Sequence, residues 1–311
     1  MVKRALTLAE RARGMLLGHA AGNALALPTE GLGAGEIARR WPAGVHDIER
    51  RDTTESPWDD DVALSLILGE ELLSSPVDLR RIMQRWAAWA MRDGRGIGVQ
   101  TGAALRHFEA HGSPPTAAGL PTNGALSRTL PLALATLGSG RNRISASWHI
   151  AALTHPHPEA AWAAVALTVA AARLLSGHRD FVPDVLEVLR ANESPAPVVD
   201  AVRRVPIGRR EALPVGAAAT GLAAATLEIA LWFAWHEPDL ERGLTWLAGA
   251  GGDSDTNAAV AGGLMGARDG EAAVPARWLA ALPDPDRLRR LADALAAPHI
   301  PDSASSNPSE S

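Results

Sequence analysis

The chain contains no cysteine among its 311 residues. Disulfides and thiolate metal sites are therefore excluded, and a cytoplasmic home is compatible with the composition. Basic charge is not in excess: 30 Lys and Arg stand against 35 Asp and Glu, for a net charge of −5. Without a basic field, nucleic acid is not an indicated partner. Long apolar runs are lacking as well. Residues 160–175 are broken by Arg173 and residues 221–235 by Glu228, short of the roughly 20 apolar residues of a membrane span. Period-2 runs rich in Val, Ile and Thr are missing, which removes the pattern of a half-buried sheet.

At the N-terminus, Lys3, Arg4, Arg11 and Arg13 precede the stretch from Gly14 to Leu27, and Ala24-Leu25-Ala26 resembles a cleavage site. His19 and Asn23 interrupt the apolar stretch and Glu10 interrupts the basic one, so a signal peptide is the weaker reading.

What is present is helical periodicity. Val62, Leu66 and Ile67, then Ile82, Trp86 and Trp89, then Leu227, Leu231 and Trp235 recur at helical spacing, and alanine fills the interior stretches. Prolines and glycines fall between these segments. Hydrophobic residues make up 47% of the chain and no composition shift marks a linker, so the expectation is one compact all-α domain over residues 1–298. The tail from 299 to 311 turns to Ser, Pro and Asp and reads as disordered. Gly18 and Gly22 share one helical face, and Gly262-Gly263 sits inside a helical stretch. Both patterns point to close helix packing.

Two acidic clusters stand out, each where a helix begins: Trp58-Asp59-Asp60-Asp61 and Gly251-Gly252-Asp253-Ser254-Asp255-Thr256. One aspartate is enough for an N-cap. Three in a row repel one another unless a cation neutralises them. Carboxylates and a threonine hydroxyl are hard oxygen ligands, suited to Mg²⁺ or Mn²⁺. The spacing does not supply an EF-hand loop. A terpenoid-synthase aspartate motif is the sharper rival, but it needs a further acid three residues on, and Ala63 and Leu64 stand there.

Other candidates are single loops. Glu30 follows Pro28-Thr29 in what reads as a mobile loop. Arg95 to Gly102, with Gly98, Val99, Gln100 and Thr101, is a glycine-rich turn before a helix, and Asn123-Gly124-Ala125 is another. Backbone N–H groups at helix starts bind phosphate oxygens, and two such turns beside a metal pair suit a diphosphate. Thr154-His155-Pro156-His157-Pro158 opens a further helix. No third soft ligand accompanies it, so His155 reads as a ligand contact or a turn cap rather than a zinc site.

Taken in order, these segments resemble the ADP-ribosylglycohydrolase family. Its Gly-Asp-Ala-Leu-Gly-x-Pro-x-Glu motif is similar to Gly22-Asn23-Ala24-Leu25-Ala26-Leu27-Pro28-Thr29-Glu30, and its Trp-Thr-Asp-Asp-Thr motif to Trp58 through Val62. The Asn-Gly loop with a downstream arginine resembles Asn123, Gly124 and Arg128, the Thr-His-x-His-Pro step resembles Thr154 to Pro158, and Gly-Gly-Asp-Thr-Asp-Thr resembles Gly251 to Thr256.

The resemblance implies an all-α fold with two Mg²⁺ or Mn²⁺ ions in a cleft, held by Asp59, Asp60, Asp61, Asp253, Asp255 and Thr256. It implies a hydrolase that removes ADP-ribose from a modified protein, with Glu30, Asp60 and Asp61 catalytic. The loops at 98–101 and 123–125 would cradle the diphosphate and His155 the distal ribose. An arginine linkage is slightly favoured. The alternatives are hydrolysis of an O-linked serine adduct or another ADP-ribosyl compound, or a catalytically silent member that only binds ADP-ribose or serves a structural role. Departures from the family pattern are Asp59 for threonine, Asn23 for aspartate and Ala26 for glycine. Gly96 stands where many arginine-specific relatives carry an aspartate. Leu222 stands where relatives often have a tyrosine near the adenine, in a chain that has no tyrosine.

Overall fold

The computed structural model describes residues 4–49, 58–215 and 221–300. Among them the fold is all-α, with no strand. The helices are α1 (Leu8–Ala26), α2 (Ala34–Arg40), α3 (Asp60–Glu71), α4 (Leu79–Arg92), α5 (Val99–His111), α6 (Leu126–Ala135), α7 (Gly140–Ala152) and α8 (Pro158–Leu175). They continue with α9 (Val182–Ala191), α10 (Ala196–Arg204), α11 (Ala223–His236), α12 (Leu240–Ala250), α13 (Ser254–Asp269), α14 (Ala276–Ala281) and α15 (Pro285–Ala296). The tail expected to be disordered lies outside the described residues from 301 onward.

α1 is the centre of the fold. It starts at a capping box, in which Thr7 Oγ1 accepts from Glu10 N (3.2 Å) and Glu10 Oε2 accepts from Thr7 N (2.8 Å). From Gly14 to Ala26 every residue is buried, as expected for a helix that is apolar on all sides. The segment weighed above as a leader is thus a core helix. Its glycine face lies directly on α13. A Cβ added at Gly18 would stand 2.3 Å from the carbonyl oxygen of Gly262, one at Gly262 would stand 2.2 Å from that of Gly18, and one at Gly22 would stand 2.1 Å from that of Ala258. Only Cα–H groups fit between these backbones. Gly262→Ala gains about 1 kcal/mol of helix propensity. It then forces the two backbones apart, at a cost of about 1–3 kcal/mol or more. A net loss of stability is expected in urea unfolding. Unchanged stability would show that the contact yields easily.

α8 has the length and mean hydropathy (1.3) of a weak membrane span, but 78% of it is buried inside the protein, where it packs as a core helix. A second, smaller core joins α3, α4 and α5 through Leu64, Leu68, Ile82, Trp86, Leu105 and Phe108. Trp86 is fully buried, and its Nε1 donates to Leu64 O (3.0 Å). This platform aims the N-termini of α3 and α5 at the start of α13.

Two isolated antiparallel bridges pin the loops around that meeting point: Gly33 with Gly251, and Thr122 with Leu222. Gly31 N donates to Gly252 O (2.8 Å) and Gly252 N to Leu32 O (3.0 Å), so the loop carrying Glu30 is tied to the second acidic cluster. Asn123 N donates to Gly221 O (2.9 Å) and Ala223 N to Pro121 O (2.9 Å), which anchors the Asn-Gly loop to the start of α11.

Candidate active site

The two acidic clusters lie 192 to 196 positions apart in the chain (Asp61 to Asp253, Asp59 to Asp255) and meet in one cleft. One ligand oxygen each from Glu30, Asp59 and Asp255 lies within 4.8 Å of the others. Asp60, Asp61, Asp253 and Thr256 line the same cavity, whose volume is about 720 Å³.

Helix capping accounts for little of this acidity. Asp59 is the N-cap of α3, but its Oδ1 alone accepts from Asp61 N (3.2 Å) and from Asn23 Nδ2 (2.9 Å). Asp253 occupies the N-cap position of α13 without capping it; its carboxylate instead accepts from the Asn123 amide. Asp61 accepts from the Ser127 hydroxyl and from Asn23 Nδ2 (3.4 Å). Asp255 Oδ1 is buried with no hydrogen-bond partner.

These carboxyls are held above their ordinary range. Burial pushes Asp60 up to about 8, with the charge of Asp59 adding to the effect and Arg128 opposing it. Burial first, then Asp59, raises Asp61 and Asp255 strongly. Burial also raises Asp59. Glu30 is exposed at the rim, yet lost solvation on its cleft side and the charges of Asp59 and Asp253 raise it too. Converging buried oxygens, one of them orphaned, fit a hard divalent ion. The residues present are therefore compatible with Mg²⁺ or Mn²⁺.

The rest of the cavity runs away from the acids. Gly98, the N-cap of α5, together with Val99, Gln100 and Thr101, forms one wall. The N–H groups of the first turn of α5 have no acceptor within the helix. Val99 itself is 89% exposed at the rim. Asn123, Gly124 and His155 also line the cavity, and Gly124 lies beside both Thr101 and His155. Ala125 does not line the cavity; it is buried in an alanine cluster with Ala151, Ala161 and Ala164. Gln100 Nε2 and Thr122 Oγ1, both in lining residues, are buried without hydrogen-bond partners. Leu222 is bridged to Thr122, and it is the neighbouring Gly221 that lines the cavity.

Several residues take part in contacts that the sequence reading did not assign to them. Asn23 holds two acids at once and accepts from Asp59 N (3.3 Å) through Oδ1, which orients its amide. Asn123 Nδ2 also donates to Thr226 Oγ1 (2.8 Å), which donates to Asn257 Oδ1 (2.9 Å). Gly96 has φ of 71°, and a Cβ there would stand 2.5 Å from Asp59 Oδ2. Arg128 is fully buried behind the cavity wall. The available signals were Ser127 and Arg128 directly after the Asn-Gly loop, and Asn257 after the second cluster.

A family model described as ADP-ribosylglycohydrolase matches residues 4–304. ADP-ribosyl-[dinitrogen reductase] glycohydrolase of Rhodospirillum rubrum is 28% identical over 317 aligned residues, covering 93% of this chain and 96% of that protein. ADP-ribosylarginine hydrolase Tri1 of Serratia proteamaculans (strain 568) is 26% identical, covering 92% of this chain and 79% of that one. A solved ADP-ribosylglycohydrolase-related protein complex matches with a TM-score of 0.80 at 30% identity, covering 94% of this chain and 99% of the other.

Proposed function

The chain belongs to the ADP-ribosylglycohydrolase family and is a glycohydrolase, and from that premise we propose that it removes ADP-ribose from a modified protein side chain with the help of two Mg²⁺ or Mn²⁺ ions. The observation that carries this reading is the convergence of Glu30, Asp59 and Asp255 within 4.8 Å beside a cavity of about 720 Å³ that Glu30 and Asp255 line. That volume suits a ligand of nucleotide size.

Asp59, Asp60, Asp61, Asp253, Asp255 and Thr256 would hold the ions. When bound, the ions would supply positive charge at the ribose diol and acidify a water. The water oxygen bonds to the anomeric carbon, and the electron pair of the glycosidic bond leaves with the side-chain heteroatom. Glu30 moves the proton, and its raised pKa brings it nearer the working pH. The first N–H groups of α5 and the loop at Asn123 and Gly124 receive the diphosphate.

The favoured linkage is to arginine. Its support is the name of the Serratia relative and the carboxylate at Asp59, which fills the space in front of Gly96. One observation favours an O-linked serine adduct as the second reading. The Asp59 carboxylate is already engaged by Asn23 and grouped with Glu30 and Asp255, so it is not free to grip a guanidinium.

Calorimetry with free ADP-ribose tests the ligand and the metals together. Binding is expected with Mg²⁺ or Mn²⁺ and is expected to weaken strongly after chelation, because the diol contacts depend on the ions. Equal affinity after chelation would remove the metals from recognition.

A further inference from the structure

We propose that buried Arg128 is a positioning residue that locks His155 as its Nε2–H tautomer and, with Thr101, makes this corner of the cavity a fixed pair of hydrogen-bond donors for a phosphoryl oxygen. The identity of the ligand rests on the function proposed above; the tautomer does not.

Arg128 is fully buried and lies over the Trp86 ring at 5.2 Å. Burial draws its pKa down to about 10, and the charges of Asp60 and Asp61 oppose that, so it stays charged at neutral pH. A guanidinium only donates. Its Nη2 lies 3.3 Å from Thr101 Oγ1 and 3.3 Å from His155 Nδ1. Both atoms must accept there. Thr154 Oγ1, 2.9 Å from the same Nδ1, then shares that single lone pair with Arg128 as a second donor in a three-centre contact.

Burial, with the Arg128 charge adding, holds the His155 imidazole well below its ordinary pKa, so the ring is neutral. A neutral ring with Nδ1 accepting carries its one proton on Nε2. Thr101, having spent a lone pair on Arg128, keeps its hydroxyl proton to donate. Both groups converge on Gly124: a Cβ added there would lie 3.2 Å from Thr101 Oγ1 and 3.3 Å from His155 Nε2. The bare glycine leaves room for a ligand between the two donors. Two donors with no acceptor between them select an oxygen that brings no proton, such as a phosphoryl oxygen, over a hydroxyl. His155 is then neither a base nor a metal ligand.

Nitrogen NMR of the full chain labelled with ¹⁵N-histidine reads the tautomer directly, with His155 assigned by the signals missing in His155→Phe. The expected wild-type ring is protonated at Nε2 and bare at Nδ1, and Arg128→Met populates the Nδ1–H form, donating to Thr154. Arg128→Lys, which keeps a donor, restores the wild-type form. Nδ1–H in the wild type overturns the proposal, whether or not Arg128→Met folds. Calorimetry with ADP-ribose and Mg²⁺ reads the donor pair. Thr101→Val and His155→Phe are each expected to weaken binding by about 10-fold or more, the loss of a hydrogen bond to a charged group. Arg128→Met should add little once Thr101→Val and His155→Phe are both present. Additive losses there would show that Arg128 does not act through this pair. If ADP-ribose does not bind at all while the ring is Nε2–H, the function proposed above fails and the tautomer lock stands.

Discussion

Asp255→Ala is expected to lower turnover by about 10³-fold or more, because it removes one wall of a site whose ions carry several kcal/mol of transition-state stabilisation. Asp255 is the sharpest probe in the acidic cluster. It is buried, grouped with Glu30 and Asp59, and has an oxygen with no partner. A purely structural acid would have its oxygens satisfied by the protein. The same variant is expected to lose most of the rise in melting temperature that Mg²⁺ or Mn²⁺ gives the wild type. Unchanged turnover in Asp255→Ala would overturn the metal assignment.

The metal effect also has a signed pH dependence. The folded-state pKa of Asp60 is raised to about 8, whereas an unfolded aspartate titrates at about 4. Between those values the metal-free folded chain binds more protons than the unfolded one. Its stability therefore falls as pH rises through that window. Divalent ions take the place of those protons, so the metal-dependent rise in melting temperature should grow from pH 5 towards pH 8, windows set by the same two values. A rise that shrinks with pH would contradict the account.

Glu30→Gln is expected to cut turnover by about 10²–10⁴-fold, the range for a lost general acid or base, with almost no change in melting temperature. Glu30 is exposed at the rim, and its loop is held by backbone bonds to Gly252 rather than by its side chain. Normal turnover per folded molecule, together with a large loss of stability, would make it a structural residue.

How much was legible beforehand follows from what kind of information each feature needs. Gly18, Gly22 and Gly262 could be read from sequence, because helical spacing alone puts the first two on one face and marks the third as a packing point. The two acidic clusters were legible as helix starts with more charge than caps require. Their meeting was expected only through a family resemblance, since nothing local joins Asp59 to Asp255. The grip of Asn23 on Asp59 and Asp61 was out of reach for the same reason: it is a contact between the interior of α1 and the start of α3. Asp59 and Gly96 looked like two separate departures. In space they are one, because the carboxylate occupies the volume where a side chain at 96 would begin. Ala125 illustrates the reverse case. Its place in a glycine-rich turn suggested a ligand contact, but packing turns it into the alanine cluster behind the wall. The tautomer of His155 depends on a buried arginine reached only through the fold.

The central claim is that this cleft uses divalent ions to release ADP-ribose from protein, and one assay addresses it most directly. Matched peptides carrying ADP-ribosyl-arginine or ADP-ribosyl-serine are incubated with the full chain, with Mg²⁺ or Mn²⁺ or with chelator, and free ADP-ribose is quantified. The account predicts metal-dependent release from at least one peptide, the arginine adduct first, and its loss on chelation. Release that persists undiminished in chelator, or no release from either peptide under any condition, would contradict it.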